Sequence, residues 1–147
     1  MADCVTKEFQ LNQEGNLELY FRGFYNLYGW GKYEGVNGEL SDCGGSLEGS
    51  TCMATMGGSS HKKAFKMLAT DYKNYDIQYG CKPFWGIFYS DSFSISSRTM
   101  EMSDTVQAEV RTVVKSKLPH LHLQDSMYWT KQGEDRCQYY WMSDNQG

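Results

Sequence analysis

Polar and apolar residues alternate along most of the chain with the period of two that extended strands produce. Leu17, Leu19 and Phe21 alternate with Glu18, Tyr20 and Arg22 in a run that continues to about Tyr28. Phe65, Met67 and Ala69 alternate with Lys66, Leu68 and Thr70, and Tyr75, Ile77, Tyr79 and Cys81 with Asp76, Gln78 and Gly80. Between these last two runs, Asp71-Tyr72-Lys73-Asn74 breaks the pattern with side chains that hydrogen-bond their own backbone, so together they predict a hairpin. Further strands are expected over residues 5–11, 32–40, 51–56 and 127–131. A longer one is expected over 84–97, where Phe93 and Ile95 lie opposite Ser92, Ser94 and Ser96. Residues 12–16 read as a turn and Gly29-Trp30-Gly31 as a bend or bulge, with Asn37-Gly38 a competing site for a tight turn.

Helical periodicity occurs once. Val106, Val110, Val113, Val114 and Leu118 make one apolar stripe, with Ser103 as N-cap, Asp104 in the first turn, Lys115 and Lys117 in the last, and Pro119 beyond. A stripe of this kind must pack on something apolar, and the outside of a sheet is the available surface. Consecutive antiparallel strands leave exposed edges, which closure into a barrel removes. The expected fold is therefore all-β: an up-and-down antiparallel barrel of seven to eight strands, with one C-terminal helix packed outside. On pattern alone a β-sandwich remains open.

Composition narrows the choice. At 147 residues the chain is read as a single domain, 1–147, large enough for one core. Aromatics at 15%, with 15 Gly against 2 Pro, favour strands and tight turns over a helical bundle. Mean hydropathy is −0.61, and no apolar run nears the ~18 residues of a membrane span. A net charge of −4 without a basic cluster argues against nucleic acid or an anionic membrane as partner. The chain opens without a charged-then-apolar leader, so a secretory signal is expected to be absent or already removed. The 5 cysteines nevertheless suggest an oxidising compartment, and their odd number leaves one thiol over.

The wording of the central hairpin is more specific than its spacing. Thr70-Asp71-Tyr72 followed by a Tyr-rich strand ending in Cys81 resembles the T-D-Y signature of the lipocalins, in particular the branch of apolipoprotein D, the insect bilin-binding proteins and the crustacyanins. Ser97-Arg98 before a capped helix resembles that family's third motif. The run from Cys4 to Leu11 and on to Leu17 looks like its second and third strands. The first motif, G-x-W on the opening strand, has no counterpart ahead of Cys4. The resemblance thus implies a missing first strand, leaving Arg98 to find a Trp, a Tyr or a carboxylate in place of that Trp. Residues 137–142 are one candidate to fill the gap. The resemblance further implies a Cys4–Cys137 bridge. Cys43 and Cys52 match no general family bridge but are near enough to staple the Gly/Ser-rich segment 41–60. Cys81 is then the odd thiol.

Candidate chemistry is sparse. His120 and His122 could share a strand face as a metal pair, but they directly follow Pro119 and read as loop; His61 is isolated. No metal site is expected. Cys81 lacks an evident His or Lys activator, and no acid–base constellation stands out, so the chain reads as no enzyme. The aromatics point instead to a ligand wall: Phe9, Leu17, Leu19, Phe21, Tyr25, Phe65, Met67, Tyr75, Ile77, Tyr79, Phe88 and Phe93, with Tyr hydroxyls and Gln78 as polar anchors. Pattern alone leaves open which face of each strand points inward. The resemblance implies a secreted carrier of a small hydrophobic molecule (carotenoid, bilin, retinoid or fatty acid), a pigment in particular. A bound carotenoid or tetrapyrrole and homo-oligomers fall within what it implies, while no essential cofactor does. The competing reading is a protein-binding lipocalin, an inhibitor of a protease or clotting factor, acting through its loops.

Overall fold

Strands form along most of the stretches where they are expected, and they follow one another in the sheet in chain order. They are β1 (Ala2–Leu11), β2 (Leu17–Leu27), β3 (Trp30–Ser41), β4 (Thr51–Met56), β5 (Lys63–Thr70), β6 (Tyr75–Phe84) and β7 (Phe88–Ser97), and α1 (Asp104–Lys117) follows. A computed structural model of the chain describes residues 2–43, 49, 51–60, 62–84, 88–121 and 127–139, the side chains of 27, 81–84 and 88–90 excepted. The chain divides into two units, Met1–Ser41 with Ala54–Lys62 and Tyr128–Gly147, and Asp42–Met53 with Lys63–Met127.

In the first unit, β1, β2 and β3 pair antiparallel. Asn12 closes the first turn by accepting the Glu14 and Asn16 N–H groups on its Oδ1, at 3.0 and 2.9 Å. The second turn is tighter than the bend expected at Gly29-Trp30-Gly31. Leu27 pairs with Trp30, and Tyr28 and Gly29 both take positive φ, 53° and 84°. That is the two-residue hairpin turn whose twist matches the flanking strands. Consequently β3 starts earlier than expected, and Asn37-Gly38 lies inside it rather than in a turn.

The last described segment straps onto β1. Cys4 is bridged to Cys137 and donates its N–H to the Lys131 carbonyl at 2.8 Å. Asp3 Oδ1 accepts the Tyr128 hydroxyl at 2.6 Å and the Lys131 N–H at 3.0 Å. These two donors hold the Asp3 carboxyl below its usual range, and the same bond raises the Tyr128 phenol. Residues 127–131, expected as a strand, are therefore irregular: side chains, not a backbone ladder, hold them. The Gln132 amide repeats the pattern on the Val5 carbonyl at 2.8 Å.

In the second unit β5, β6 and β7 pair antiparallel, and α1 packs on one face of them. Ser103 caps the helix by accepting the Val106 N–H, and Val110 and Val114 are 1% exposed. They meet Leu68, Ala69, Tyr75, Ile77 and Leu118 in one cluster. Burying each such aliphatic side chain contributes about 1.5–3 kcal/mol. The Tyr75 hydroxyl donates to Glu109 Oε1 at 3.0 Å, which pins the helix at one register. A bulge between Met67 and Ala69 places Leu68 and Ala69 both in the helix cluster. The single long strand expected over 84–97 is not continuous: Phe84 ends β6 and pairs with Phe88, the first residue of β7.

Candidate functional site

The register of the first unit sorts its side chains into two sets. Leu17 pairs with Leu11 and Leu40, Leu19 with Phe9 and Gly38, and Phe21 with Lys7 and Val36. Alternation brings Tyr25 to the same face, beside Ala2. Phe9, Leu17, Leu19, Phe21 and Tyr25, scattered over 17 residues of sequence, thus share one apolar face. Leu19 is buried and the others are half-buried. Lys7 lies on this face with its ammonium 5.2 Å from the Phe9 ring centroid. Gly38 is required there, since a Cβ would stand 2.6 Å from the Thr55 carbonyl oxygen of β4.

The opposite face of β2 and β3 uses its aromatics differently. The Tyr20 ring covers Gly35 and the Phe24 ring covers Gly31, where a side chain would collide with them. The Arg22 guanidinium stacks 4.3 Å from the Tyr33 ring centroid. The Tyr33 hydroxyl accepts the Gln138 N–H at 2.7 Å, anchoring the tail. A cleft of about 270 Å³ near the strand ends is walled by Glu18, Leu19, Gly38, Glu39 and Thr55. Of the expected ligand wall it touches only Leu19, and two carboxylates border it.

In the second unit, the expected wall residues are parted. Tyr75, Ile77, Tyr79 and Phe93 lie on the face that α1 covers, packed in or against its cluster. The pairs Ile77–Ile95 and Tyr79–Phe93 continue that face across the two strands. The sequence grouped these four with the other apolar residues because periodicity marks a face without saying which neighbour covers it. Met67 falls on the other face, opposite Gln78, and is 5% exposed. Phe65, two residues earlier, follows it there and is half-buried. The backbone of Phe88 is in β7, but its side chain, like that of Cys81, lies outside the described residues.

The face of β6 and β7 turned away from α1 is polar. Asp76 pairs with Ser96, Gln78 with Ser94 and Gly80 with Ser92. Gln78 is 6% exposed, the buried polar residue of the chain's described part. Its amide donates to Asp76 Oδ1 at 2.7 Å, and its Oε1 accepts the Ser94 hydroxyl at 3.5 Å. Gln78, expected as a polar anchor for a ligand, is thus bonded to Asp76 and Ser94, the latter part of the Ser92-Ser94-Ser96 alternation.

The T-D-Y hairpin is explained by hydrogen bonding. Asp71 Oδ1 accepts the N–H groups of Lys73, Asn74 and Tyr75 at 3.0, 2.7 and 3.0 Å, and Oδ2 the Asn74 side chain at 2.6 Å. Desolvation opposes ionisation of Asp71, but these donors outweigh it and hold the carboxyl well below its usual range. Thr70 accepts the Tyr72 N–H and donates to the Tyr75 carbonyl, at 2.9 and 2.7 Å, while Tyr72 takes a positive φ of 61°. Arg98, expected to seek an aromatic ring or a carboxylate, instead reaches the Tyr72 carbonyl at 3.4 Å, and its N–H meets the Asn74 carbonyl at 3.0 Å. The two motifs are thus parts of one junction.

Cys43 is bridged to Cys52, as proximity suggested. His120 stands 3.6 Å from Asp91 Oδ2, exposed; His61, His122 and residues 140–142 lie outside the described residues. Among the described residues, no group of three His, Cys, Asp or Glu could hold a metal ion.

No family model and no curated protein matches the chain. Solved structures do. Lobster apocrustacyanin A1 matches with a TM-score of 0.66 at 22% identity, over 92% of this chain and 69% of its own. Apocrustacyanin C2 matches with a TM-score of 0.67 at 22% identity, over the same shares of the two chains. The major cockroach allergen Per a 4 matches at 0.63 and 18%, over 89% of this chain and 74% of its own. The fold is therefore the lipocalin type that the T-D-Y hairpin and the strand–Arg–helix order implied: an antiparallel β-barrel with one C-terminal helix.

Proposed function

We propose that this chain is a secreted carrier that holds a small hydrophobic molecule against the apolar face of β1, β2 and β3. One observation carries the reading: the strand register gathers Phe9, Leu17, Leu19, Phe21 and Tyr25 onto a single face. Such a wall of aromatic and aliphatic side chains suits an extended, oily ligand. Likeness in fold to the crustacyanins supports a pigment, a carotenoid or tetrapyrrole, ahead of a retinoid or fatty acid. Two disulfides support secretion.

Native protein should show a visible absorption band or release a ligand mass on solvent extraction. Titration with the fluorescent hydrocarbon diphenylhexatriene should saturate at about one equivalent, and Phe21→Asp should abolish it. Absence of saturable binding in the folded wild type would remove the carrier reading. The proposal is for binding without turnover. Product formation that disappears in Cys81→Ser would count against it.

A further inference from the structure

We propose that the tip of the β2–β3 hairpin, with Tyr28 and Trp30 at its point and Tyr128 and Trp129 beside its base, docks this protein on the surface of a zwitterionic phospholipid bilayer. Tyr28 and Trp30 are 100% and 85% exposed. Rings of that size normally bury much of their area. Tyr28 also holds a positive φ of 53° at a turn position that favours Asn, Asp or Gly. That conformation is costly for a Tyr, and the wholly exposed ring gains no packing in return. The register brings a second pair of rings to the same end of the first unit. Ala2, which opens β1, pairs with Tyr25, and Tyr28 lies three residues, about 10 Å, beyond that row. Tyr128 donates to Asp3, whose partner is Phe24, and Trp129 follows it; both are exposed. Trp30 and Trp129 are the tryptophans whose side chains are among the described residues, and both stand here.

Chemistry, charge and area choose the partner. Indole and phenol rings join an apolar body to a polar edge, the combination that settles between lipid headgroups and acyl chains. Charges behind them pair off, Lys32 with Glu34 at 2.6 Å and Asp3 with Lys131. A zwitterionic surface complements that balance, whereas an anionic one would meet the chain's net charge of −4. The four rings leave roughly 500–600 Å² in water, short of the ~800 Å² that each partner gives a stable protein interface. A bilayer demands no matching groove. Trp30 shares its face with Lys32 and Tyr25, so the apolar wall of β2 runs out toward the docking point. The docking stands whether or not that wall carries a ligand.

The test mixes the intact oxidised protein with sucrose-loaded dioleoylphosphatidylcholine vesicles and reads the fraction that sediments with them. Wild type should be half bound near roughly 1 mM accessible lipid, more weakly than a single myristoyl anchor. Trp30→Ser should weaken partition about tenfold and Tyr28→Asn about threefold. Leu11→Ser, which replaces an exposed apolar side chain at the other end of β1, should leave partition unchanged. The denaturant midpoint of Tyr28→Asn should equal or exceed that of wild type, because Asn suits the turn; a clear fall would mean that Tyr28 serves the fold and would overturn its role in docking. Folded wild type that stays in the supernatant, or tip variants that partition as wild type does, would overturn the proposal. So would a loss in Leu11→Ser as large as that in Trp30→Ser. Tighter, salt-sensitive binding to vesicles containing phosphatidylserine would overturn the choice of a zwitterionic surface. A dimer in analytical ultracentrifugation that Trp30→Ser abolishes, without lipid partition, would put a second copy in the bilayer's place.

Discussion

The two disulfides offer a quantitative test of how this chain is held together, because they close rings of very different size. Cys4 and Cys137 are 133 residues apart, and Cys43 and Cys52 are 9 apart. In the chain-entropy description, a bridge stabilises by removing conformations from the unfolded state, in proportion to the logarithm of ring length. The long ring then contributes about 5 kcal/mol and the short one about 2.7 kcal/mol, a difference of about 2.3 kcal/mol. Cys4, Cys137 and Cys52 are all buried, so replacement by Ala removes comparable sulfur packing at both sites. Asp3, Tyr128 and Gln132 still strap the tail in the folded state when the long bridge is gone. The loss therefore reports mainly on the unfolded chain. The measurement is guanidinium unfolding, without reductant, of Cys4→Ala/Cys137→Ala and Cys43→Ala/Cys52→Ala against wild type. Against a typical total of 5–15 kcal/mol, the first double variant should be near collapse and the second clearly folded. Equal losses, or a larger loss from opening the short ring, would refute the entropic reasoning.

Other perturbations probe the packing and the turn. Ile77→Ala, at the centre of the cluster beneath α1 and fully buried, should cost about 2–5 kcal/mol in denaturant unfolding. Gly38→Ala should cost about 1–3 kcal/mol, because its methyl would press on the Thr55 carbonyl from β4; a neutral result would mean that β4 yields easily. Asp71 has its folded-state pKa lowered, so its stabilisation is complete above the ordinary value of 3.8 and is lost as pH falls below it. Carboxyl carbon NMR should show Asp71 still ionised where ordinary aspartates are half protonated, and Asp71→Asn should flatten the acid limb of the stability curve.

Much of this structure was legible because strand alternation and helix capping are local. The helix from Ser103 to Leu118 and the short strand at 51–56 were both readable from a few neighbouring residues. The T-D-Y hairpin was readable for the same reason, since all of Asp71's acceptor bonds fall within four residues of it. The failures involve partners distant in sequence. Nothing near 127–131 says that Asp3 and Cys4 will hold it as an irregular strap. Nor does periodicity distinguish Ile77 from Leu19: each sits on an apolar face, and only α1's position shows that one is already covered. The Tyr28-Gly29 turn was missed for another reason, since Tyr is an uncommon occupant of a positive φ.

Strand β6 is a two-sided reading frame. Residues 75, 77 and 79 grip the helix, while 76 and 78, interleaved with them, look the other way. Substitutions on either set can accumulate without disturbing the other, so a lineage could retune one side while leaving the helix seated. Inserting or deleting a single residue within the strand would exchange both assignments at once, sending Asp76 and Gln78 under the valines.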